Sequence, residues 1–218
     1  MYEYLKDKDK EFLGNMRRVC SDLINKLVQL INSENVMHVK ANLIGSGARN
    51  LETQNNNEPV DLDYNLVIVE TNDVDINDCR TIKEYVRDRF NIVLNNNGWG
   101  DCKDSTSALT TEKRHFTNGN QTEFSIDLAI ITVSEDGWYR LIHEKTGFSS
   151  LDRYFWNQGK DSKGLDKKVF WIKKNHLWEA VIDTYLEKKN QYLTRNDYNH
   201  SSFNCYIEAV NEVYYANK

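Results

Sequence analysis

The stretch that decides the fold spans residues 60–70 and reads VDLDYNLVIVE. It opens in strict alternation and then turns continuously apolar, the pattern of a strand with a wet outer end and a buried interior. Successive strand residues point to opposite faces, so Asp61 and Asp63 share one face while Leu62 points into the core. Two carboxylates side by side repel unless a cation lies between them. A second strand-like segment, FSIDLAIIT at 124–132, sets Phe124, Ile126, Leu128 and Ile130 on one face and Asp127 on the other. An acid in so apolar a run costs heavily if it is buried without a partner. With these two strands as neighbours in one sheet, Asp61, Asp63 and Asp127 converge on a divalent ion, and hard oxygen ligands of this kind suit Mg²⁺ or Mn²⁺.

Upstream, apolar residues recur every three or four positions over 11–31, from Phe12 to Ile31, which predicts one amphipathic helix. The run VMHVKANLI at 36–44 predicts a strand that stops at Gly45-Ser46-Gly47, where glycine permits a sharp reversal. A polar loop, RNLETQNNNEP at 49–59, leads into the aspartate strand and holds the single proline, Pro59. Downstream, 75–90 reads as a helix, and SALTTEKRHFT and QTEFSIDLAIITV read as two strands joined by the turn NGN at 118–120. Beyond Ser134 the aromatic-rich composition predicts helix: a short segment at 138–145, a run over 166–192, and a last helix over 201–215 with Ser201 as N-cap. The expected division is a catalytic core over 1–140 and a helical portion over 141–218.

A strand ending in a small turn exposes backbone N–H groups, and Ser46 adds a hydroxyl, so Gly45 and Ser46 form a cradle for phosphate oxygens. A dinucleotide fingerprint fails at Asn50, where its third glycine belongs, and the Gly-Lys-Ser/Thr ending of a P-loop is missing. Gly-Ser at a strand end, Asp-x-Asp on the next strand and a third Asp on a later strand resemble the nucleotidyltransferase superfamily typified by DNA polymerase beta, over roughly residues 9 to 135. The resemblance implies an α+β fold, a mixed β-sheet flanked by helices, followed by a C-terminal helical portion that closes the cleft. It also implies nucleotide-phosphate binding by Gly45 and Ser46, metal binding by Asp61 and Asp63, and activation of the acceptor hydroxyl by Asp127. Fourteen residues separate Ser46 from Asp61, more than the family's usual gap, and QNNNEP replaces the Ser or Thr that often precedes the aspartate pair.

The resemblance thus implies an Mg²⁺- or Mn²⁺-dependent enzyme that moves a nucleoside monophosphate from an NTP, such as ATP, to an acceptor hydroxyl and releases pyrophosphate. The acceptor stays open among a small molecule such as an antibiotic, a nucleotide and a protein. A catalytically silent nucleotide-binding or toxin–antitoxin-type regulatory module of the same fold is the alternative, and paired sites among drug-modifying relatives make a homodimer one open assembly.

The 28 basic and 33 acidic residues give a formal charge of -5, which is no footprint for an extended nucleic-acid partner. Cys20, Cys79, Cys102 and Cys205 stand too far apart for a zinc motif or a disulfide framework. No apolar run is long enough for a membrane span, and the N-terminus lacks the apolar run of a secretory signal, so a cytoplasmic location is expected. Lys160, Lys163, Lys167, Lys168, Lys173 and Lys174 read as a solvated helix face, with Lys173 or Lys174 reaching the triphosphate as the functional alternative. His143 and His176 have no partner at ligand spacing and read as packed or solvent-facing.

Overall fold

Hydrophobic periodicity, a run of branched apolar residues and a few left-handed turns account for most elements of the computed structural model, which describes residues 1–159, 164–193 and 200–218. The chain forms two compact units. One comprises Glu11–Arg49 and Pro59–Gly159; the other comprises Met1–Lys10, Asn50–Glu58 and Lys160–Lys218. Lys160 and Lys163 of the expected basic face lie outside the described residues.

The first unit is built on a mixed sheet. Strand β2 (Met37–Leu43) runs antiparallel to β4 (Val60–Thr71), which is parallel to β7 (Phe124–Ser134). Short β6 (Leu109–Thr110) and β5 (Lys103–Asp104) continue the sheet from β7, while β8 (Gly137–Glu144) pairs with the far end of β7 and β9 (Arg153–Gln158) with β8. Val60, Leu62, Tyr64, Leu66 and Ile68 of β4 are buried, as are Phe124, Ile126, Leu128 and Ile130 of β7. Helix α2 (Lys10–Ser33) supplies Phe12, Met16, Leu23 and Leu27 to the core, and its Ser21 hydroxyl lies 3.0 Å from the Tyr64 hydroxyl. Helix α4 (Cys79–Asn96) buries Ile82, Val86, Phe90 and Leu94, and starts at Asp78, whose carboxylate accepts from the Thr81 N–H at 3.1 Å.

The second unit pairs β1 (Tyr2–Tyr4) antiparallel with β3 (Thr53–Asn55), with α1 (Leu5–Lys8) between them in sequence. Helices α5 (Leu165–Lys174), α6 (Trp178–Tyr192) and α7 (Ser202–Asn217) complete it. Ile172, Val181, Tyr185, Cys205, Ala209 and Val210 form its core together with Tyr4 and Leu51. The Tyr4 hydroxyl donates to the Ile182 carbonyl at 2.6 Å, tying β1 to α6. Ser201 caps α7 as expected, accepting from the Asn204 N–H at 3.3 Å.

Several expectations give way. The helix expected over 138–145 is strand β8: Leu141 and His143 are buried while their neighbours are half-exposed, a period of two that clustered aromatics disguise in the sequence. Strand β9 follows, so the sheet-bearing unit runs to Gly159 rather than to residue 140. The polar loop 49–59 contains β3 and supplies Asn50–Glu58 to the helical unit. The run 166–192 is two helices, broken at 175–177 where His176 adopts φ 57°. The second strand of the expected hairpin forms as β7 and pairs antiparallel with the first, which keeps only β6 and an isolated bridge from Arg114 to Phe124. All four cysteines are free and buried.

Candidate active site

The sheet register assembles the acids. Asp63 on β4 stands directly beside Asp127 on β7, and Asp61 beside Ser125, all on the face opposite the buried Leu62 and Ile126. The Ser125 hydroxyl donates to Asp61 Oδ1, and the Thr110 hydroxyl of β6 donates to Asp127 Oδ1 at 2.5 Å. Sequence reading did not single out these two hydroxyls, because the pairing of β6 with β7 that brings Thr110 to Asp127 is a long-range event.

The Gly45-Ser46 turn meets the same carboxylates. Helix α3 (Gly45–Arg49) begins where β2 ends, and the Ile44 N–H donates to the Asp63 carbonyl at 2.8 Å. Gly45 adopts φ +64°, and a Cβ at this position would lie 2.7 Å from Asp63 Oδ2. Only glycine admits both the left-handed backbone and the close approach of the carboxylate. Arg49 Nη1 donates to the Gly45 carbonyl at 2.7 Å and Arg17 Nη2 to the Gly47 carbonyl at 3.1 Å, holding the turn from two sides. Among the described residues the Ser46 hydroxyl has no hydrogen-bond partner.

Burial pushes the Asp63 carboxyl up to about 6, Asp127 and then Asp61 push it the same way, and the guanidinium of Arg140 opposes them. Asp127 is also raised, first by burial, against the hydrogen bond from Thr110. The three acids therefore act on one another across the sheet. Among the described residues, no three His, Cys, Asp or Glu side chains close into a cluster tight enough to hold a metal ion. The donor set still fits a divalent cation in its chemistry: carboxylate oxygens on one face, with like-charge repulsion that a cation would relieve.

Lys173 Nζ lies 4.6 Å from the centroid of the Trp178 ring within the helical unit. His143 is buried, with Nδ1 2.8 Å from Asp104 and Nε2 3.0 Å from Asp152. Trp171 meets Tyr214 edge-on at 5.2 Å, and Tyr206 lies in the helical core.

No family model and no curated relative matches the sequence. Solved structures do. The chain superposes on CdnC of Escherichia coli MS115-1, solved with ATP, with a TM-score of 0.57 and 17% identity over 94% of this chain and 59% of that one. Vibrio cholerae DncV bound to 3'-deoxy GTP gives 0.54 and 12% identity over 81% of this chain and 45% of that one. This is a nucleotidyltransferase fold. Another structure of Vibrio cholerae DncV, described as a cyclic AMP-GMP synthase with the linear intermediate 5' pppA(3',5')pG, also scores 0.54. The nucleotidyltransferase-fold chain thus spans roughly half the length of these proteins, 59% of CdnC and 45% of DncV. Among the described residues, no helix is long and apolar enough to cross a membrane.

Proposed function

We propose that this chain is a nucleotidyltransferase that moves a nucleoside monophosphate from an NTP to an acceptor hydroxyl and releases pyrophosphate. The observation that carries the reading is the placement of Asp63 beside Asp127 on parallel neighbouring strands, with Gly45 packed against the Asp63 carboxylate. Backbone N–H groups at Gly45 and Ser46, with the free Ser46 hydroxyl, would receive phosphate oxygens of the donor. Asp61, Asp63 and Asp127 would hold Mg²⁺ or Mn²⁺, which when bound neutralises phosphate charge and acidifies a coordinated hydroxyl. Asp127, held at one oxygen by Thr110, keeps its second oxygen for the acceptor hydroxyl and orients it for attack.

The similarity to DncV favours a nucleotide hydroxyl as acceptor over an antibiotic or a protein. The alternative is a nucleotide-binding module without turnover. Transfer from α-labelled NTPs, with Mg²⁺ and a panel of nucleotide acceptors, separates the two. The expected result is labelled product from the wild type and a loss of at least about a hundredfold in Asp63→Asn, as for removal of a group that organises transition-state charge. Mg²⁺-dependent NTP binding without product establishes the silent module; a wild type that neither binds nor transfers overturns both.

A further inference from the structure

The carboxylate face of the sheet continues past the three acids onto β8. Along β7 the residues on this face are Ser125, Asp127, Ala129 and Ile131, and Ile131 pairs with Arg140 of β8, so Arg140 projects from the same face. Its side chain makes no hydrogen bond or ion pair with a described residue, and its Nε is fully buried without a partner. A guanidinium in that state is costly, because a buried donor without an acceptor forfeits its hydration and gains nothing in return. The guanidinium carbon lies 5.7 Å from the centroid of the Trp138 ring, and Trp138 is itself laid over Gly159, where any Cβ would overlap the indole. Arg140 thus lies by its aromatic neighbour and spends no hydrogen bond on a described residue.

The surroundings say what kind of ligand is missing. Arg140 is within electrostatic reach of Asp63 and forms no ion pair with it, so its edge is not spent on the acids. Asn65, next after Asp63 on the same face of β4, also keeps a buried side-chain oxygen without a partner. Level with the acids the order is β2, β4, β7, β6; β8 joins the same edge of β7 four residues further along, at Ile131, so Arg140 lies beyond the acids on the edge away from β2 and the Gly45-Ser46 turn. A planar guanidinium with a free edge matches the spacing of two oxygens on one phosphorus.

We propose that Arg140 is a substrate-binding residue of this site, donating to phosphoryl oxygens of a nucleotide seated on the carboxylate face, on the flank away from the Gly45-Ser46 turn. The assignment rests on the nucleotidyltransferase reading above. It makes the site two-sided: backbone amides on one flank and a guanidinium on the other, with the three acids between.

The test is equilibrium binding of a non-hydrolysable ATP analogue with Mg²⁺, and of adenosine, to the wild type, Arg140→Gln and Arg140→Lys. Arg140→Gln is expected to weaken the ATP analogue by about tenfold or more, the size of a lost charge-assisted hydrogen bond, and adenosine by less than about twofold. Arg140→Lys recovers part of the loss, since it keeps the charge without the planar fork. Thermal unfolding of the ligand-free variants does not fall below the wild-type midpoint, because no described residue depends on Arg140 for a hydrogen bond. Equal affinity of Arg140→Gln and the wild type for the ATP analogue overturns the assignment and leaves the proposed function standing. Equal weakening for both ligands, or a lowered ligand-free midpoint, overturns it in favour of a structural role. A wild type that binds neither ligand overturns the proposed function and this assignment together.

Discussion

Lys189 is a buried residue whose surroundings oppose its charge. Its Nζ donates to the Thr53 hydroxyl at 2.7 Å and sits 4.4 Å from the centroid of the Tyr2 ring, so a helix, a strand and the N-terminus meet around one buried ammonium. Burial pulls it down to about 8 from the ordinary lysine value of 10.5. The sign follows directly. Below pH 8 both folded and unfolded chains carry the proton and the penalty is fully present; between pH 8 and 10.5 the unfolded chain binds a proton that the folded chain lacks, so stability rises with pH. Relative to Lys189→Met, which removes the titration, the wild type should gain on the order of 2 kcal/mol between pH 7 and pH 10. Urea unfolding of both proteins across that range measures it, and a flat difference refutes the burial of a charged Lys189. At the same scale the candidate site was half legible. Asp61, Asp63 and Asp127 stand out because period two assigns each a face; Arg140 does not, because nothing local distinguishes it from a solvated arginine.

Elements in the sheet-bearing unit are joined by a buried polar chain that no sequence motif announces. Lys83 of α4 pairs with Asp104 of β5 at 2.7 Å and donates to the Ser105 carbonyl at 2.8 Å, while Asp104 also takes His143 of β8. Lys83 is 2% exposed, and burial draws its ammonium below the ordinary range while Asp104 resists. Its net worth against an apolar pair is small, but breaking it leaves a charge without a partner. Asp104→Ala should therefore cost about 3 to 5 kcal/mol in denaturant unfolding, with much of the loss restored by adding Lys83→Met. If the single variant costs under about 1 kcal/mol, the ion pair does not hold α4 to the sheet. Helices were the most legible elements, since α2 and α4 repeat their apolar stripe over several turns. Strand β8 was the least, since its alternation has only two fully buried residues to show, Leu141 and His143.

At the scale of the whole molecule, the helical unit is assembled from three separated segments. Its first ten residues supply β1, whose Tyr4 is 6% exposed in the core, and the middle segment supplies β3. Deleting residues 1–10 removes a strand from a two-stranded sheet and a tyrosine from the core. Amide exchange should then accelerate throughout α6 and α7 by at least about tenfold while β4 and β7 keep their protection, since cooperative units open separately. Uniform acceleration in both units would show instead that the chain unfolds as one body. The same partition accounts for the long gap between Ser46 and Asp61: within it Asn50–Glu58, which carries β3, belongs to the other unit.

What the sequence determined by itself was carried by a few neighbouring residues: the helical stripes, the faces of Asp61, Asp63 and Asp127, and the glycine turn beside a hydroxyl. Only the tertiary structure decided which strands lie side by side, that Thr110 and Ser125 hold two of the acids, that 50–58 belongs with the helices, and that Arg140 comes round to the carboxylate face. The reason is physical. Periodicity and turn propensity act over three or four residues, whereas strand pairing is settled by burying apolar area between segments further apart, 64 residues for Asp61 and Ser125, and polar partners are carried along with it.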